Sequence, residues 1–290
     1  MTSSLPSSSQ TPPSPPRTPP FHRRLLTSLS SELDAPGSTS PISIYACFLT
    51  GFTSAPSFSA CFIWCGFQTG NVAQLALALA RCFAPAAPAA PGGGGERTVG
   101  FQKPDQQALV SLIAFWMGTS LGRVGDRMGG RKRRWLGLAT FVQALLAMAA
   151  ALTIHFSGES GLASNRGSPS WRTPLGMTGL AFLSATMGIQ GIVGKRIASP
   201  MNTTVVLTTT WVEIFNDPLL FSFHYTPSRD IRIMGALAVF LGAFVARAIL
   251  DASSSAGVVG VLAGLRMVQL GWWFLIPDKV VEKVETGNKG

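Results

Sequence analysis

Residues 131–156 read RKRRWLGLATFVQALLAMAAALTIHF, four cations (Arg131, Lys132, Arg133 and Arg134) followed by 22 residues without a formal charge. An α-helix needs about 20 apolar residues, each rising about 1.5 Å, to cross roughly 30 Å of hydrocarbon. A basic cluster at one end of such a run is what holds a loop on the cytoplasmic side of a bilayer. This stretch therefore predicts a transmembrane helix with an oriented end.

The same pattern recurs along the chain. Further apolar runs lie at 42–64, 67–83, 108–124, 175–193, 233–250 and 256–276, and several carry no charge, or one close to an end. The first is interrupted by Gly51, Pro56 and several serines, and Trp272 and Trp273 near the last suit an interfacial aromatic anchor. Only 12% of residues are charged and 47% are hydrophobic, whereas a soluble domain is about a quarter charged. The expected fold is an all-α integral membrane protein. It is a polytopic bundle of six to seven transmembrane helices plus one or two broken or re-entrant segments.

A net charge of +10 raises nucleic acid as a partner, but its distribution argues against it. Much of the charge sits in the N-terminal arm and in the loop from Arg123 to Arg134, flanking apolar spans. The lipid bilayer is the expected partner. Residues 1–40 are rich in Ser, Pro and Thr and form an arm that cannot bury a core. Within it Phe21, Leu25, Leu26, Leu29 and Leu33 share a helical face, as an interfacial helix would, though a disordered tail accounts for them equally. Residues 41–277 form the transmembrane domain and 278–290 a short cytoplasmic tail.

Charge also sets the topology. With a cytoplasmic N-terminus and a single net crossing over 42–83, the Pro/Gly tract 84–95 falls outside and the Arg127–Arg134 loop inside. If 201–223 dips in without crossing, Lys195, Arg196, 228–232 and the tail also lie inside. The count is then six net crossings and two partial segments, in two antiparallel halves. Gly70-Asn71 and Met201-Asn202 open the partial segments, and Gly118-x4-Arg123 and Gly242-x4-Arg247 end the spans after them. This is the pattern of an inverted repeat, common in secondary transporters. The membrane is the plasma membrane or an endomembrane.

Three stretches carry a resemblance to a known family. They are Gly51-Phe52 with Phe67-Gln68-Thr69-Gly70-Asn71, the loop Gly122–Arg134, and Gly188-Ile189-Gln190-Gly191 leading to Asn202-Thr203-Thr204. Together they resemble the YoaK-like membrane family, catalogued as domain of unknown function 1275, and look closest to its fungal members. The resemblance implies a multi-pass membrane protein and supplies no activity. Family members usually carry an Asp shortly after the Gly-Phe pair, where this chain has Thr53-Ser54-Ala55. The loop with Arg123, Asp126, Arg127, Arg131, Lys132, Arg133 and Arg134 also resembles the loop signature of major facilitator transporters. This chain is much shorter, Gly130 stands where a basic residue is usual, and positive-inside anchoring explains most of the pattern.

The expected solute site follows from polar groups at membrane depth. Gln68, Thr69, Gly70 and Asn71 place amides and a hydroxyl beside a glycine, and such breaks occur inside protein or beside a cavity. They could hold a polar solute, or cap a helix and tie its neighbours. Asn202 and Thr203 are the matching residues of the second half. Glu213 is an acid in a mainly apolar stretch, a functional candidate by position, whereas Asp217-Pro218 reads as a helix N-cap.

Catalysis is not expected. There is no GxSxG, HExxH or P-loop, and His22, His155 and His224 lie in separate regions. Cys61 and Cys65 are spaced i, i+4, neither a redox nor a zinc spacing, so no metal, cofactor or catalytic residue is assigned. The leading expectation is a secondary transporter or permease for an unknown small solute. The alternative is a non-transporting scaffold or assembly factor acting through the basic loop and the N-terminal arm.

Overall fold

In a computed structural model of the chain, the structure describes residues 28–33, 39–83, 100–163, 165, 168–197, 205 and 207–278. These form α1 (Ser40–Cys61), α2 (Gln68–Phe83), α3 (Lys103–Ser120), α4 (Gly122–Met128), α5 (Arg133–Ser157), α6 (Pro174–Ile197), α7 (Thr208–Phe215), α8 (Pro227–Ala252) and α9 (Ser255–Trp273). Two isolated β-bridges are the only extended pairing among the described residues.

Five stretches are long and apolar enough to cross a membrane: Lys103–Met128 (α3 running into α4), α5, α6, α8 and α9. The sequence leads one to expect six or seven. The difference lies in α1, whose 22 residues reach about 33 Å but include many hydroxyls. Those hydroxyls are buried in protein, not turned to lipid. Ser43, Thr50 and Thr53 donate to the carbonyls of Thr39, Ala46 and Leu49 one turn back. The expected interruption at Pro56 does not occur, and the helix continues to Cys61.

Two close crossings organise the bundle. In α1 and α8, a Cβ on Gly51 would strike the Val239 carbonyl, and one on Gly242 would strike the Phe48 carbonyl. In α6 and α3, a Cβ on Gly188 would strike the Phe115 carbonyl, and one on Gly118 the Ala185 carbonyl. Only glycine permits backbones to approach this closely. The spacings correspond, since Phe48 precedes Gly51 as Ala185 precedes Gly188, and Phe115 precedes Gly118 as Val239 precedes Gly242. α5 packs between α6 and α9 and closes the bundle.

One end of the bundle is strongly basic. Arg123, Arg127, Arg131 and Arg134 are exposed there, and Arg196 pairs with Asp126 at 2.7 Å. Arg133, expected in the exposed basic loop, is instead the first residue of α5 and only 3% exposed. Its Nη1 donates to Ser28 Oγ at 2.6 Å, its Nε to the Trp273 carbonyl at 2.9 Å, and it pairs with Asp278 at 2.9 Å. Around it Glu32 bridges Lys132 and Leu33 bridges Asp278.

Residues 28–33 thus lie on the body of the protein, although the sequence placed them in a disordered arm. Leu33 is extended and buried beside Ile42, Trp135 and Ile276, not on the face of an interfacial helix. Phe21, Leu25 and Leu26 fall outside the described residues, as do the tract 84–95 and the tail beyond Asp278. Trp273, expected as an interfacial anchor, is 1% exposed, and its indole N–H donates to Thr140 Oγ1 at 2.8 Å. Burying an indole requires such an acceptor.

Candidate functional site

The first candidate lies where the chain breaks after α1. Phe62 takes a left-handed conformation (φ 58°) and ends the helix. The chain then runs back beside α1: Ser57 Oγ donates to the Ile63 carbonyl at 2.9 Å, and Cys65 Sγ lies 3.8 Å from Ser54 Oγ. From that depth α2 starts at Gln68 and returns to the same end of the bundle. There Arg81 meets Asp105, at the start of α3, at 2.5 Å. Residues 62–83 therefore begin and end at the same end of the bundle.

The polar groups of this turn bond to protein. Asn71 Nδ2 donates to Gln68 Oε1 at 2.8 Å and lies 3.2 Å from Ser111 Oγ. Gln68 Nε2 donates to the Cys65 carbonyl at 2.8 Å and reaches Ser111 Oγ at 3.2 Å. Ser111 and Ser184 share a hydrogen bond of 2.8 Å, so one chain of polar groups ties α2 to α3 and α6. Thr69 and Gly70 face outward. A groove of about 590 Å³ runs beside them, lined by Trp64, Gly70, Asn71, Gln74, Arg81 and Asp105.

The second half has a similar break. Val205 is buried near Gly66 and Gly191, where a Cβ on Gly66 would lie 3.5 Å from its Cγ1. Beyond it α7 lies against α8. Asn202 and Thr203 fall outside the described residues. Glu213 is half-exposed and pairs with Arg232 of α8 at 2.8 Å, and no contact joins it to the Gln68–Asn71 turn. Asp217 accepts from the Leu219 N–H at 2.8 Å. That is the bond expected of an N-cap, but a turn, not a helix, follows it. The two broken segments thus make the same kind of tie with opposite charges, Arg81 to Asp105 and Glu213 to Arg232.

A further site was not expected from the sequence. Arg266 stands in the middle of α9, in a run read as uninterrupted apolar, and is fully buried. Its Nη2 donates to Gln190 Oε1 at 2.6 Å and its Nη1 to Gln269 Oε1 at 3.0 Å, while Nε has no partner. Gln190 is held by its own Nε2, which donates to Thr50 Oγ1 at 2.7 Å and to the Ala46 carbonyl at 2.9 Å. Gln143, Gln190 and Gln269 line a small cavity of about 10 Å³, and Gln143 Oε1 has no partner.

No carboxylate among the described residues pairs with Arg266. Arginine stays protonated in proteins, and an unneutralised interior charge costs several kcal/mol. The signal was available in the sequence, since an ionisable residue inside a span is a functional candidate by default.

Among the described residues no group of three or more His, Cys, Asp or Glu side chains could hold a metal ion. The free thiols of Cys47, Cys61 and Cys65 are buried, and Cys61 donates to the Ser57 carbonyl.

Comparison with known proteins finds one family. The family model described as "Protein of unknown function (DUF1275)" matches residues 42–272. No curated protein and no solved structure matches the chain.

Proposed function

The chain belongs to the DUF1275 family and is a membrane protein with several apolar helices; from that premise we propose that it is a secondary transporter or permease for a small polar solute. The observation that carries this reading is the pair of equivalent glycine crossings. Gly51 on Val239 and Gly242 on Phe48 correspond, residue for residue, to Gly188 on Phe115 and Gly118 on Ala185. Each half contributes one helix to each crossing and one broken segment, so the chain reads as an inverted repeat of three crossings per half. Such repeats place a solute site at their interface and expose it alternately by rocking one unit against the other.

In this reading α1 supplies the sixth crossing, 62–83 and 205–215 are re-entrant, and the basic end is cytoplasmic. Gln68, Asn71 and Ser111 then line the solute path from one side. Thr69, Gly70, Asn202, Thr203 and Glu213 remain candidates along it. The test is reconstitution. Solutes that raise the thermal midpoint of the purified protein are supplied to proteoliposomes and their uptake followed. A solute that binds but is never taken up would sink the transport reading.

The exposed Arg123, Arg127, Arg131 and Arg134 favour a second reading, a scaffold that docks a partner on its basic end. Removing residues 1–27 separates the two, because this leaves Ser28 and Ser31 in place around Arg133. A transporter keeps its uptake, while a scaffold that uses the arm loses its partner.

A further inference from the structure

We propose that Arg123, Arg127 and Arg134 form a headgroup site for an anionic phospholipid in the leaflet at the basic end of the bundle. The proposal does not rest on transport, and its test is read without flux.

The charge at this end is unbalanced. Asp126, the one acid in residues 122–134, pairs with Arg196. Glu32, whose backbone bridges Lys132, offsets that lysine's charge. Arg123, Arg127, Arg131 and Arg134 are exposed, and no described carboxylate pairs with any of them. Arg123 and Arg127 stand four residues apart on α4 and have no described hydrogen bond either.

These cations are held in place by the protein's own backbone. Arg134 donates through Nε and Nη2 to the Met128 carbonyl at 2.9 and 2.6 Å, which sets it beside the end of α4. Gly125 of α4 rests on Trp135, where a Cβ would strike the indole. Arg131 donates through Nε to the Arg196 carbonyl at 3.0 Å. The result is a fixed cluster of guanidinium groups with open N–H donors, and guanidinium matches phosphate as a two-pronged pair.

What lies below the cations selects a lipid over a soluble anion. On α5, Leu138, Phe141, Leu145, Met148 and Leu152 are exposed at intervals of three and four, and Arg134 heads the same stripe. The rise from Arg134 to Leu152 is about 27 Å, close to the thickness of the hydrocarbon. On α3 and α4, Ile113, Trp116, Leu121 and Val124 are exposed, and Arg127 follows one turn after Val124. Each stripe thus leads from acyl-chain depth to a guanidinium whose long side chain keeps its charge in the polar layer. A soluble acidic peptide would satisfy only the charges, whereas one anionic lipid meets charge and stripe together.

The experiment uses the full-length protein in a non-ionic detergent, with the thermal midpoint as readout, since a ligand of the folded state raises it. Dioleoyl phosphatidylglycerol, dioleoyl phosphatidylcholine, glycerol phosphate and decaglutamate are titrated at constant ionic strength. Phosphatidylglycerol should raise the midpoint saturably. Phosphatidylcholine, with the same chains and no net charge, should not, nor should the chainless phosphate ester or the acidic peptide. A cation near the surface is worth about 5-fold in affinity for anionic lipid. Arg127→Gln should therefore raise the half-saturating concentration about 5-fold, and Arg127→Gln with Arg134→Gln about 25-fold. Arg247→Gln removes the same charge beside the other end of α5 and should change nothing.

Arg134→Gln can loosen α4, because it alters the tie to the Met128 carbonyl. Arg127 has no such duty, so the single variant decides on its own. An undiminished response in Arg127→Gln overturns the proposal, as does a rise equal for both lipids or absent for phosphatidylglycerol. An Arg127-dependent rise of the same size with glycerol phosphate makes the occupant a free phosphate ester. The same rise with decaglutamate makes it an acidic protein, and either result removes the lipid.

Discussion

Gly242 of α8 rests on the carbonyl oxygen of Phe48 in α1, with no space for even a methyl group between them. Gly118 of α3 stands in the same relation to Ala185 of α6. Gly242→Ala and Gly118→Ala must each push two backbones apart, and overpacking of this kind costs about 1–3 kcal/mol. Both should lower the thermal midpoint in detergent to a similar degree. Gly70→Ala, where nothing lies within 4 Å, should leave it unchanged. A tolerated Gly242→Ala would mean that the helices are farther apart than described.

Arg133 joins three distant parts of the chain, and its loss should loosen all three. Arg133→Ala strands the carbonyls of Trp273 and Ile276, each unmet buried acceptor costing about 1–3 kcal/mol. Limited proteolysis should then cut near Leu33 and Asp278 at protease levels that spare the wild type. Arg134→Ala, an exposed neighbour, should show no such cleavage.

Asn71→Ala should reduce stability as well as any activity. Its side chain donates to both Gln68 and Ser111, and its removal takes the described donor from Gln68 Oε1, at about 1–3 kcal/mol. Thr69→Ala, on the outward face of the same turn, should be silent in thermal unfolding. Should Asn71→Ala unfold like the wild type while losing solute binding, Asn71 is a ligand-contacting residue and not a tie.

Asp105 has two tasks, pairing with Arg81 and accepting the Gln102 N–H at 2.8 Å at the start of α3. Asp105→Asn retains an acceptor for the cap and loses the ion pair. Asp105→Ala loses both, and should cost about 1 kcal/mol more, the usual worth of a cap. Comparing the thermal midpoints of the two variants measures the cap alone.

These residues also show how far the sequence could be read. The stretch after Arg134 announces itself as a span because much of its surface faces lipid. α1 is harder to recognise, since a helix surrounded by protein has no need to be uniformly apolar. The break before Gln68 is visible as the gap between the apolar runs 42–64 and 67–83. Arg133 and Arg134 are indistinguishable by composition; about 100° of helical rotation buries one and exposes the other. Gln143, Gln190 and Gln269 lie on three helices far apart in the chain, and only the fold brings them to one cavity beside Arg266.

The paired crossings bear on how such a chain could arise. α1 finds its closest neighbour, α8, in the opposite half, and α3 finds its own, α6, there too. A polypeptide ending after α5 would leave both of its crossing helices without the glycine surfaces that receive them. On the inverted-repeat reading proposed above, a stand-alone ancestor of one half would have needed a second copy inserted the other way up.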